Sequence, residues 1–146
     1  MTDPDEEPQQ RLLGHVLLPV AHEDDALKTA RALEPYDPDR VTALHVVEKG
    51  GGVPDKTPVE HSEEVAREAY DAVRLVFPSA ETHTAYGRDV AGAITEAAQA
   101  VNASAIAYRS RGGNRPLQFL SGDPSLKLVT QADRPVIALP TVESGN

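Results

Sequence analysis

The feature that most constrains this chain is an alternation: short, almost unbroken apolar blocks are separated by stretches whose apolar residues recur every three or four positions. Residues 14–20 read Gly-His-Val-Leu-Leu-Pro-Val and residues 41–47 read Val-Thr-Ala-Leu-His-Val-Val. Each block is strand-sized and lacks the polar alternation of a half-wet strand, so each predicts a strand buried on both faces. Between them Ala26, Leu27, Ala30 and Leu33 predict a helix over 24–34. Its acidic start suits the positive end of the helix dipole, and Pro35 ends it.

The same alternation continues to the far end. Glycines in 49–54 predict a mobile loop, and Val65, Ala69, Ala72, Val73 and Val76 then predict the longest helix, over 58–76. Thr and Tyr in 81–86 favour an edge strand, broken by Gly87. Asp89 and Asn102 suit the two ends of a third helix. Residues 103–108 read as strand four. Gly122-Asp123-Pro124 opens a last helix, with Asp as cap and Pro at its first position, and 135–140 closes as strand five. Strands alternating with helices take right-handed crossovers, which give a mostly parallel sheet in a three-layer α/β/α sandwich. Such sheets bind ligands beyond the carboxyl ends of their strands, where strand order reverses. The segments after Val20, Val47, Gly87 and Tyr108 are therefore the candidate cleft.

Length and charge narrow the function. A chain of 146 residues suits one domain, expected over 12–140, with a disordered acidic tail over 1–11 and a flexible end over 141–146. The proline-bearing acidic start is unlike a secretory leader and no apolar run approaches a membrane span, so a cytoplasmic protein without membrane partners is expected. The net charge of -9 opposes an extended grip on nucleic acid. With 14 basic residues of which only Lys28, Lys49, Lys56 and Lys127 are lysines, the acidic surface is the kind expected to stay charged in concentrated salt. No cysteine is present, so there is no thiolate nucleophile and no thiolate metal ligand.

One segment carries the most chemical information: Arg109-Ser110-Arg111-Gly112-Gly113-Asn114-Arg115, followed by Pro116 to Ser121 and Gly122-Asp123. With Val16-Leu17-Leu18-Pro19-Val20, Leu44-His45-Val46-Val47 and Asp133-Arg134-Pro135-Val136, it resembles the universal stress protein family over about residues 14–139. The resemblance implies a Rossmann-like, adenine nucleotide alpha hydrolase-like fold with a five-stranded parallel sheet of order 3-2-1-4-5. It also implies a stress-response homodimer joined through the last strand, here Pro135, Val136, Ile137, Ala138 and Leu139. Nucleotide-binding members carry Gly, two residues, Gly, nine residues, Gly, then Ser or Thr. Those glycines bring backbone N–H groups to phosphate at a helix N-terminus.

Here Gly112 and Gly122 keep the nine-residue spacing, but Arg109 stands at the first glycine position and Asp123 at the hydroxyl position. A carboxylate there competes with phosphate for the same donors, at about 1 kcal/mol in water and about 4 at a shielded site. Ala21 also stands where the family commonly has Asp after the strand-one Val. Three cations in one loop, Arg109, Arg111 and Arg115, suit anionic oxygens. Either the pocket is re-tuned to another anion, or Arg109 pairs with Asp123, or ATP or AMP binding is retained. The candidate ligand-binding residues are Val20, Ala21, Val47, Arg109, Arg111, Gly112, Gly113, Gly122, Asp123 and Ser125.

The remaining chemistry is sparse. His22-Glu23-Asp24-Asp25 superficially suggests a divalent ion, but consecutive acids before a helix read as a solvated cap. His45, inside an apolar strand, reads as a packed imidazole with a backbone partner. There is no Gly-x-Ser-x-Gly elbow and no Gly-Lys-Ser/Thr loop. The expectation is a non-catalytic regulatory dimer with weakened or lost ATP binding, no required cofactor and no metal, acting on a regulatory protein partner. A sensor of ATP, AMP or another small anion is the alternative.

Overall fold

The two unbroken apolar blocks become the middle of a sheet, because only a strand covered on both faces can bury every side chain it carries. The computed structural model describes residues 11–48, 59–109 and 124–140. Its elements are β1 (Val16–Pro19), α1 (Glu23–Leu33), a 3-10 turn (Glu34–Tyr36), β2 (Val41–Glu48), α2 (Val59–Val76), β3 (Glu81–Gly87), α3 (Val90–Val101), β4 (Ala105–Arg109), α4 (Pro124–Gln131) and β5 (Val136–Leu139). The five strands form one sheet of order β3-β2-β1-β4-β5. Every pairing is parallel, and Val16 of β1 sits between Val41 of β2 and Ala105 of β4.

Alternation along β1 divides the core. Val16 and Leu18 face α1 and α2, where they pack with Ala26, Ala30, Leu33, Ala69 and Val73. Leu17 faces the other way, against Ile94 and Ala97 of α3 and Leu128 of α4. Leu17, Leu18 and Leu44 are fully buried, each contributing roughly 1.5–3 kcal/mol of hydrophobic stabilisation.

The helix ends follow local chemistry. Pro35 cannot continue the hydrogen-bond ladder, so the chain tightens into the 3-10 turn and leaves through Asp37 at φ 53. Asn102 takes φ 58 at the end of α3, and the next N–H, of Ala103, bonds the Ala98 carbonyl at 2.9 Å. Asp89 caps α3 as the sequence predicts, but its carboxylate makes no cap bond to the helix and instead meets Lys127 of α4 at 3.4 Å. The predicted 49–54 loop and both predicted tails, apart from Arg11, lie outside the described residues. Among the described residues no helix is long and apolar enough to cross a membrane.

Candidate functional site

Parallel strands bring the carboxyl ends of β1 to β4 to one margin of the sheet. From β1 the chain crosses to β2 on one side, while β4 lies on the other, so the strand order reverses between β1 and β4. Four residues, from α1, β4 and the turn after β1, meet there.

The first turn of α1 supplies the anion. His22 is the N-cap in extended backbone, and its Nδ1 accepts the Asp25 N–H at 3.3 Å. Glu23 and Asp24 are exposed as a solvated cap should be, but Asp25 turns inward and is only 3% exposed. One of its oxygens accepts the Ala21 N–H at 2.7 Å. The other accepts Arg109 Nη2 at 3.1 Å, from the last residue of β4. Arg109 Nε donates to Thr29 Oγ1 at 3.2 Å, one helical turn beyond Asp25. The Arg109 side chain is 13% exposed, so both charges are largely out of water and each is held by a partner of opposite sign.

Of the residues predicted for the cleft, this arrangement unites Ala21 and Arg109. Val20, buried at the end of β1, donates its N–H to the Leu44 carbonyl at 2.8 Å and fixes the approach to the cluster. Val47 is placed apart: with Tyr70, Thr84 and Tyr86 it lines a hollow of about 290 Å³ between α2 and β3. Ser125 falls in the first turn of α4. Arg111, Gly112, Gly113, Gly122 and Asp123 lie outside the described residues. Arg109 pairs with Asp25; the expected pairing with Asp123 involves a residue outside the described ones. The parallel β1–β4 pairing carries the end of β4 up to the turn that follows β1 and so brings Arg109 to Asp25.

Asp25 and Thr29 are the residues that sequence reasoning missed. Their signal was present: the burial stripe of α1 runs through positions 25/26, 29/30 and 32/33, so the period traced back from Leu33 lands on Asp25 as well as Ala26.

His45 projects from β2 toward the α1 side, and burial lowers its pKa, partly offset by the neighbouring backbone of Val20 and Ala21. Its Nδ1 is buried and has no hydrogen-bond partner among the described residues. No group of three or more His, Asp or Glu able to hold a metal ion occurs among the described residues.

A model of the universal stress protein family matches residues 12–140. No curated protein matches the sequence. Among solved structures, a universal stress protein from Archaeoglobus fulgidus in complex with dAMP is 20% identical with a TM-score of 0.63, over 88% of this chain and 99% of that one. UspA from Lactobacillus plantarum is 25% identical with a TM-score of 0.58, over 87% and 97%. A universal stress protein family member from Arabidopsis thaliana with AMP bound is 16% identical with a TM-score of 0.58, over 88% and 92%.

Proposed function

Because the chain belongs to the universal stress protein family, we propose that it acts as a non-catalytic regulatory homodimer whose cleft is held by its own ion pair and binds ATP weakly. One observation carries this reading: the Asp25–Arg109 pair fills the strand-order reversal, at 3.1 Å, where a ligand's anion would otherwise sit. Asp25 also takes the Ala21 N–H, a backbone donor that phosphate would use. A triphosphate arriving there meets a buried carboxylate instead of open donors, which costs on the order of 1–4 kcal/mol.

The margins of the sheet support self-association through β5. The β3 margin begins with Glu81, which pairs with Arg40 at 2.8 Å, and continues through threonines and Tyr86. The β5 margin carries only Val136, Ile137, Ala138 and Leu139, an apolar edge that needs covering. A regulatory protein partner would then read the dimer surface.

Calorimetric titration with ATP, with and without magnesium, tests the proposal together with light scattering. The expected result is a dimer with ATP binding weaker than about 10 μM. A monomer at micromolar concentration removes the assembly, and tighter ATP binding removes the closed cleft. A second reading, an adenine-nucleotide sensor, is favoured by the dAMP and AMP held by two structurally similar proteins. Tight ATP or AMP binding by the unaltered chain would establish it.

A further inference from the structure

We infer that Arg109 is an anion-binding residue kept occupied by Asp25, so that the cleft is a site for a carboxylate or phosphoryl oxyanion whose arrival displaces that internal carboxylate. The inference rests on the closed-cleft reading and deepens it by naming what opens the cleft.

The donor set is the first argument. The Ala21 N–H at 2.7 Å and Arg109 Nη2 at 3.1 Å converge on the two oxygens of one carboxylate, with the Thr29 hydroxyl 3.5 Å from one of them. A cation, a backbone amide and a hydroxyl around two oxygens are what any carboxylate or phosphoryl group uses. Asp25 marks the anion position by occupying it.

Exposure is the second. Arg109 is 13% exposed and Asp25 3%, so a solute entering from the margin reaches the cation before its partner. Of the five N–H donors of a guanidinium, Nε and one on Nη2 are committed to acceptors among the described residues. A solute oxyanion can thus engage Arg109 before Asp25 lets go. Asp25, once released, belongs to the first turn of α1 beside exposed Glu23 and Asp24, a position where the helix dipole favours a hydrated carboxylate.

The third is energetic. A buried ion pair is seldom more stable than a well-packed apolar pair of similar volume, so its presence in a cleft is poorly explained by stability alone. An exchangeable lock gives it a purpose.

The test titrates the full chain with inorganic phosphate, and separately with acetate, at constant ionic strength, following the Ala21 N–H and Arg109 Nε–H resonances. The unaltered protein is expected to respond only at millimolar anion. Asp25→Asn keeps the shape and an acceptor for Ala21 but gives up the charge, and is expected to bind at least about tenfold more tightly. Adding Arg109→Gln should abolish the gain. A response to phosphate alone assigns a phosphoryl ligand, and one to acetate alone assigns a carboxylate. A folded Asp25→Asn with no gain for either anion overturns the inference. Should that variant not fold, the unaltered protein decides: no movement of either resonance up to about 100 mM anion also overturns it. If Asp25→Asn gains nothing while the unaltered chain still refuses ATP, this inference falls and the closed-cleft reading stands.

Discussion

Arg109 and Asp25, 84 residues apart in sequence, meet at 3.1 Å and tie the last residue of β4 to the first turn of α1. Removing Asp25 leaves the Arg109 guanidinium largely buried without its carboxylate. Asp25→Ala is therefore expected to lower unfolding stability by about 3 kcal/mol, the low end of the range for buried pairs because Arg109 keeps some contact with water. The double substitution Asp25→Leu with Arg109→Met should recover most of that loss. About 1 kcal/mol should persist, because the Ala21 N–H still lacks its acceptor. Urea unfolding of the three chains measures both numbers.

Acid should weaken the fold through buried His15 and half-buried His45. His15 lies 2.7 Å from Thr42 Oγ1, and burial first and Arg40 second hold its pKa below 6.5; burial does the same for His45. The unfolded chain then binds these protons first as pH falls, so stability is full above about 6.5 and declines progressively below it. Urea midpoints at pH 7.5 and 5.5 should differ, and His15→Gln should reduce the difference. Asp133, held at about 2 by hydrogen bonds from Arg134 and Gln99, adds its own loss only at stronger acid, between about 3.8 and 2.

Tyr70 fastens α2 to β3: its hydroxyl donates to the His83 carbonyl at 2.7 Å and lies 2.5 Å from Thr84 Oγ1. Tyr70→Phe removes both bonds with little change in volume and is expected to cost about 1–2 kcal/mol in denaturant unfolding.

Ala138 is exposed on β5, so Ala138→Glu should leave the folded chain intact. In a symmetric pair joined there it would bring two like charges together, and self-association should weaken at least about tenfold by sedimentation. Unchanged association would place the interface elsewhere.

A net charge of -9 repels itself at low ionic strength. Screening between about 0.1 and 2 M potassium chloride should raise the thermal midpoint by about 5 °C, read by circular dichroism.

How much of this was legible in the sequence depends on the range of the interactions involved. The central strands were readable because Val16–Pro19 is buried at every position and a doubly covered strand leaves an unbroken apolar run. Helix ends were readable because Pro35 and Asn102 act within one turn. Strand order came from family resemblance, since nothing local says that β4 rather than β3 lies beside β1. The ion pair was not readable for the same reason. Three consecutive acids, Glu23, Asp24 and Asp25, look alike on paper, and only the face each takes on α1 separates the two solvated residues from the buried one. His45 sits in an apolar strand as expected, yet its unpartnered Nδ1 depends on how the turn after β1 lies against it.

In the proposed pairing through β5, the dissimilar borders of the sheet limit how many copies can join. A charged pair at Glu81 and Arg40 discourages a neighbour on one side, whereas β5 invites one on the other. When two chains meet through β5 each uses up its single inviting border, and no open end is left from which a filament could grow.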